Sequence, residues 1–289
     1  MSEYVMRQMT RAELDTVIEW AAREGWNPGK HDAEAFYATD PSGFYVGVLD
    51  GDVIASISAV KYGPSYAFVG YYIVEPEHRG KGFGLRLWEH AHADIVGWRA
   101  GLDGVLAQTG NYERSGYLTA YHNQRYQGAN PSPNPLPDFG AGATGWEIAS
   151  FASGDLDPVV EYDTAMFPAP RRAFLEPWLM QPEAHVLVLR DGESVAGYGV
   201  VRPARDGWRI GPLFADDVSK AEALLDALAG RMPAGASVFI DVPQANAEAI
   251  AMVRGRGMTP MFETARMYRG GAPSIDIGRV FGVTSLELG

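Results

Sequence analysis

The sequence predicts an α/β protein in which a mixed β-sheet flanked by helices is built twice in tandem. Three observations carry this. Apolar stretches alternate between the period of two that suits strands and the 3–4 spacing that suits helices. The order of these stretches in residues 1–128 returns in residues 146–289. Between them, Ala129–Pro137 holds four prolines in nine residues, and Gly140, Gly142 and Gly145 follow. Proline removes a donor and fixes φ, and glycine loosens the backbone, so 129–145 reads as a linker.

In the first half, Tyr4–Met9 is extended. Thr10-Arg-Ala-Glu13 has the form of a capping box, and Leu14, Val17, Ile18 and Ala21 follow at helical spacing. Trp20 falls on the same apolar side. Phe44–Leu49 and Val53–Lys61 flank an Asp50-Gly51 hairpin turn. Ala67–Val74 is a further strand, followed by a glycine-rich turn and a helix near Leu85–Val96. Val105–Gln108 and Tyr117–Tyr126 read as extended, with room for only a short helix between. In the second half the spacing predicts strands at Trp146–Phe151, Val186–Arg190, Ser194–Val201, Trp208–Phe214, Ser237–Val242 and Thr264–Tyr268. Helices are expected at Asp155–Met166, Arg171–Met180, Ser219–Met232 and Ala245–Arg254. Strand meanders mixed with crossovers imply a mixed sheet in each half.

Composition removes several classes of function. Lys+Arg number 24 against 36 Asp+Glu, a net charge of −12, which disfavours a broad grip on nucleic acid. The chain has no cysteine, so disulfides, zinc–thiolate sites, iron–sulfur clusters and thiol nucleophiles are excluded. The first fifteen residues carry charges where a signal peptide needs an apolar stretch, and no apolar run approaches the ~20 residues of a membrane span. A cytoplasmic protein with neither a metal nor a membrane partner is the expectation, with a homodimer left open.

The chemistry lies in Gly70–Gly84. An apolar strand ends at Glu75-Pro76; Gly80, Gly82 and Gly84 follow, and a helix begins. Free amides at a helix start, with the helix dipole, make an anion site, and Arg79 and Lys81 add positive charge. No Gly-Lys-Ser/Thr occurs in the chain, so this is not a Walker loop. The loop also comes too late in its domain for a dinucleotide fingerprint.

Arg79-x-x-Gly82-x-Gly84, preceded by Val74-x-Pro76, resembles the pyrophosphate loop of the GNAT superfamily of acyl-CoA-dependent N-acetyltransferases. Gly110-Asn-Tyr-Glu-Arg-Ser-Gly-Tyr117 is similar to a second segment of that family. The resemblance implies residues 1–128 as a catalytic domain binding acetyl-CoA and 146–289 as a degenerate GNAT-like domain. It implies that Arg79, Gly80, Lys81, Gly82, Phe83 and Gly84 hold the coenzyme. Backbone groups of Tyr72, Ile73 and Val74 would pair with the pantetheine arm, Asn111 would touch that arm, and Tyr112 would protonate the departing thiolate. Asn111 and Tyr112 are adjacent here, so they do not both keep their family positions.

The resemblance further implies direct attack of a primary amine on the thioester. The strand before the loop carries no acid, and Glu75, His122 and Asp32 are the candidates for the base. Glu24-Gly-Trp-Asn-Pro-Gly29 would line the acceptor pocket through Trp26 and Asn27. The acidic excess favours a cationic small molecule, with a protein N-terminus or lysine as the other acceptor and a non-catalytic acyl-CoA sensor as the other class of protein.

In the second half, Ile210–Val218 lacks both the glycine ladder and the arginine, and Asp216 and Asp217 precede the helix. Carboxylates cap a helix but repel a pyrophosphate, so only the first half is expected to bind coenzyme A. Asn246…Gly257-Met258 echoes the second family segment. Phe167–Arg172 reads as a lid, an anion patch or a surface turn, and residues 282–289 as a docked strand or a free tail.

Overall fold

The structure is a computed structural model that describes residues 3–130 and 145–289. Most of the expected linker, residues 131–144, lies outside the described residues. The first half runs β1 (Tyr4–Gln8), α1 (Arg11–Arg23), α2 (Asp32–Thr39), β2 (Phe44–Leu49), β3 (Asp52–Tyr62), β4 (Tyr66–Val74), α3 (Phe83–Ala93), β5 (Arg99–Val105), α4 (Thr109–Arg114) and β6 (Leu118–Ala129). The second repeats it as β7 (Trp146–Ser150), α5 (Leu156–Asp163), α6 (Arg172–Leu179), β8 (His185–Asp191), β9 (Ser194–Pro203), β10 (Trp208–Ala215), α7 (Val218–Ala229), β11 (Ser237–Pro243), α8 (Ala247–Gly255) and β12 (Thr259–Arg269). It then adds a short strand, β13 (Val280–Gly282).

Local signals account for many of these elements. Thr10 and Glu13 form the reciprocal capping box, and α1 buries Leu14, Val17, Trp20 and Ala21. Asp50 (φ 53°) and Gly51 (φ 100°) make the hairpin turn. Asp217 caps α7 by accepting from the Lys220 amide at 3.0 Å. The strand expected at Val105–Gln108 is β5, which ends at Val105, and Leu106–Gln108 is a 3₁₀ turn leading into α4. Two glycines and Asp103 inside β5 hide its period.

The two sheets are one. Its order is β1-β2-β3-β4-β5-β12-β6-β11-β10-β9-β8-β7, with β13 on β10. The order mirrors itself about the β12–β6 pair, and each half has given one strand to the other. β12 pairs with β5, and β6 pairs with β11. Each seam carries a directly opposed, buried ion pair. Arg125 on β6 faces Asp241 on β11 at 2.7 and 2.9 Å, and Arg266 on β12 faces Asp103 on β5 at 2.6 Å. A third buried pair, Asp32 on α2 with Arg202 on β9, links the halves at 2.7 Å. Nearby, Phe36 of α2 stacks on Phe174 and Trp178 of α6, so one apolar core spans both halves.

Two expectations follow from the seams. The segments 1–130 and 145–289, expressed separately, each lack a strand that the other holds. Each should be insoluble or unfolded alone, whereas co-expressed they should purify as a 1:1 pair, checked by size exclusion and circular dichroism. The second concerns Asp241. Burial pushes its carboxyl up, but the Arg125 and Arg209 guanidiniums outweigh burial and hold it down at about 2. A depressed folded value gives stability that is present above the ordinary carboxylate range and lost as pH falls through it. Melting temperature should therefore drop between about pH 4 and 2. At pH 7, Asp241→Asn should cost about 3–5 kcal/mol in denaturant titrations by leaving two buried guanidiniums undercompensated.

Candidate active site

Parallel strands β4 and β5 stay paired only from Tyr66–Val69 against Arg99–Leu102. Then β4 turns away. An extra residue shifts its register against β3 between Ser56 and Ser58, and Tyr71 sits at φ 46°. The strands splay, and a cleft of about 400 Å³ opens between them. Tyr72, Ile73 and Val74 line it, so the strand placed there by sequence does border the opening.

At one end of the cleft lies the glycine loop. Gly80 and Gly82 adopt φ 74° and 85°, conformations that side chains with a Cβ resist, and Gly82 caps α3. A Cβ on Gly84 would lie 2.8 Å from Tyr72 Oη and from a Val74 methyl, so α3 begins directly against β4. Among the described residues no hydrogen bond uses the amide N–H groups of Gly80 through Leu85. They form a ready anion site at the start of an eleven-residue helix. Arg79 lines the cleft, but its guanidinium turns back to the Val74 carbonyl at 2.7 Å and to Glu24. Lys81 and Phe83 lie off the cleft lining. Lys81 is exposed, and Phe83 packs on Tyr4 with ring centroids 4.8 Å apart.

Tyr112, on α4, forms part of the facing wall. Its ring lies on Gly104, where a Cβ would come within 2.6 Å, and tilts against Trp88. Burial pushes its phenol up to about 12, so it stays protonated at neutral pH. Its neighbour Asn111 is exposed and bonds Gln108 and Arg114 instead. One short helical turn cannot aim adjacent residues at one cleft, so Asn111 does not join Tyr112 there.

Trp26 borders the other end and packs on Tyr71. Asn27, at φ 52°, does not face the cleft. Its amide exchanges hydrogen bonds with the Asp206 backbone at 2.8 and 2.9 Å and so ties this loop to the second half. The carboxylates and imidazole considered as bases are engaged elsewhere. Glu75 pairs with Arg23 at 2.6 Å, His122 with Glu263, and Asp32 with Arg202.

Sequence reasoning missed the segment that closes this end. Residues 283–289 are buried throughout, and Leu286 and Glu287 line the cleft. Tyr62 Oη donates to the Leu288 carbonyl at 3.0 Å, and Arg171 donates to the Gly289 oxygen at 3.0 Å. The tail is therefore docked. Phe167–Arg172 is not a lid: Arg171 is buried on Asp163 at 2.7 Å and anchors the tail.

Comparison with known proteins accords with this geometry. Residues 11–117 match the acetyltransferase (GNAT) family, and residues 159–282 match an acetyltransferase (GNAT) domain. A holothin acyltransferase from Pseudoalteromonas sp. (strain SANK 73390) is 33% identical over 277 residues, covering 96% of this chain and 92% of that protein. The chain belongs to the GNAT acyltransferase family. Its fold is shared with a putative acetyltransferase from Pyrococcus horikoshii (TM-score 0.80, 17% identity, 99% of this chain and 96% of that one). A tandem GNAT protein from the clavulanic acid biosynthesis pathway is also similar (TM-score 0.63, 16% identity, 95% and 99%).

The second GNAT half has an equivalent splay with a different fate. β10 and β11 pair only from Trp208–Ile210 against Val238–Ile240. Beyond that point β13 pairs with β10, and the Val283 amide donates to the Asp241 carbonyl on β11 at 2.7 Å. The chain's own backbone fills this groove. Gly211 and Gly70 occupy matching positions, and a Cβ on either would strike the tail. On Gly211 it would lie 2.3 Å from the Val283 oxygen, and on Gly70 it would lie 2.0 Å from the Glu287 oxygen.

Gly70→Ala is therefore expected to push residues 284–289 off the first half. Hydrogen exchange at Leu286–Leu288 should accelerate while that of α3 does not, with a stability loss of about 1–3 kcal/mol.

Proposed function

We propose that this GNAT acyltransferase moves an acetyl group from acetyl-CoA to a primary amine of a small molecule, in the cleft of the first half. The observation that carries this reading is the row of unbonded amides from Gly80 to Leu85 at the mouth of the β4–β5 splay, with the Tyr112 phenol in the same cleft. The amides and the α3 dipole suit a pyrophosphate. Past Val69 no residue of β4 pairs with β5, so backbone groups of Tyr72–Val74 on that side are open to an extended pantetheine arm. The filled groove of the second half supports a single coenzyme site per chain.

The chemistry follows from the walls. An ammonium acceptor must lose a proton before its nitrogen can attack the thioester carbonyl. The carbon–nitrogen bond forms, a backbone N–H of the bulged strand stabilises the oxyanion, and the carbon–sulfur bond then breaks. Tyr112 gives its proton to the leaving sulfur as negative charge develops there, and the second proton that the nitrogen sheds as the amide forms passes through solvent to restore the Tyr112 phenol. Trp26, Tyr71 and Phe262 give the acceptor end aromatic walls, and Leu286 narrows it. That shape supports a compact acceptor over a protein chain. The relative named for holothin supports a small-molecule acceptor in the same way.

Thiol release from acetyl-CoA across a panel of primary amines tests the reading. Turnover should depend on the amine, and Tyr112→Phe should lower kcat by about 10²–10⁴-fold while acetyl-CoA affinity by calorimetry stays within about twofold. Absence of binding heat with acetyl-CoA, or of thiol release with every amine, would sink the proposal.

A further inference from the structure

We infer that Glu287, in the terminal segment contributed by the second half, is the base that takes the proton from the acceptor amine. This rests on the amine-transfer reading above. Glu287 is only 3% exposed, yet it lines the cleft. One carboxylate oxygen faces Arg209 at 3.6 Å; the other, Oε2, is buried with no hydrogen-bond partner. An unpartnered carboxylate oxygen in a buried wall costs free energy unless something that enters the cleft satisfies it.

The surroundings fit a proton acceptor for an ammonium. Arg209 is spent mainly on Asp241 at 2.6 Å and on the Asn27 carbonyl at 3.2 Å, so it leaves Oε2 open. The Glu287 main chain passes over Gly70, where β4 begins to bulge. That places the residue beside the strand whose open amides would hold the acyl carbonyl. The Tyr71 hydroxyl in the same wall is also buried and unpartnered, and burial together with the nearby Glu287 charge raises it well above the ordinary phenol value. It is therefore a donor, not a competing base.

The other acids of the cleft are occupied. Asp103 accepts two bonds from Arg266 and one from Asn123. Glu24 pairs with Arg79. His78 belongs to the turn that precedes the glycine loop, at the coenzyme end. In the inferred step the ammonium N–H bond breaks and its proton passes to Glu287 Oε2. The freed lone pair forms the carbon–nitrogen bond, and Glu287 later releases the proton to solvent.

The test compares wild type with Glu287→Gln in the thiol-release assay. The variant should lose about 10²–10⁴-fold in kcat/KM for strongly basic amines, with acetyl-CoA affinity unchanged by calorimetry. The loss should shrink for weakly basic amines that are already neutral at the assay pH, a trend that a purely structural role would not produce. In Glu287→Ala, added formate should restore turnover. Glu287→Gln at wild-type rates, a loss equal for all amines, or a Glu287→Ala deaf to formate would each overturn the inference while amine transfer stands. A wild-type enzyme that acylates no amine would instead remove the reading beneath it.

Discussion

Two buried Arg–Asp pairs hold the exchange on which the rest of the molecule depends. Arg125–Asp241 and Arg266–Asp103 occupy matching places in the two halves, one at each seam where a strand has crossed over. A buried ion pair adds little net stability compared with well-packed apolar residues, but a broken one is costly. In a sheet whose side chains alternate faces, a one-residue slip of β6 or β12 would put its arginine on the opposite face and leave an aspartate uncompensated. The pairs therefore specify register where backbone pairing alone would tolerate several.

The exchange also explains why the grooves of two similar halves differ. Once β12 has crossed to β5, the chain returns along the second half as β13 and fills the β10–β11 splay with its own backbone. It then runs on to the matching glycine of the first half, where Leu286 and Glu287 line the open cleft. One segment thus closes one groove and walls the other. Asp216 and Asp217 agree with this division. Asp216 accepts from Tyr162 and Arg279 while its amide donates to the Ala196 carbonyl at 3.0 Å, and Asp217 caps α7, so carboxylates stand where the first half has its glycine loop.

Much of this was legible locally. The duplicated element order, the Thr10 capping box, the Asp50-Gly51 turn and the glycine loop are encoded within a few residues each, and all stand where the periodicity puts them. What could not be read depends on partners far along the chain. Nothing near Leu118 or Thr259 says that those strands will trade places. Asn27 looks like a pocket residue until Asp206, 179 positions away, takes its side chain. Arg171 looks like a surface charge until Asp163 and the Gly289 oxygen bury it. Glu287 sits in an apolar alternation that reads equally well as a strand or a tail, and only the crossing of that segment over Gly70 brings it to the cleft. A signal was present in Asp103 and Asp241: each is a lone acid inside an otherwise apolar or glycine-bearing strand, which in a buried sheet demands a cation.

That demand reaches the wall of the cleft. After meeting Asp241, Arg125 has a donor left for the Trp26 carbonyl at 2.6 Å, and Arg209 has one left for the Asn27 carbonyl at 3.2 Å. The loop that carries Trp26 is thus hung from the cluster that sets strand register, with the Asn27–Asp206 bonds as a second tie. A charged guanidinium donating to a carbonyl in a buried site is a strong and directional bond. The position of Trp26 against Tyr71 is therefore fixed by residues of β6 and β10 and not by the loop's own sequence. The second half is therefore necessary to the shape of the first half's cleft, because its Arg209, its Asp241 and its Glu287 hold or line that end of it.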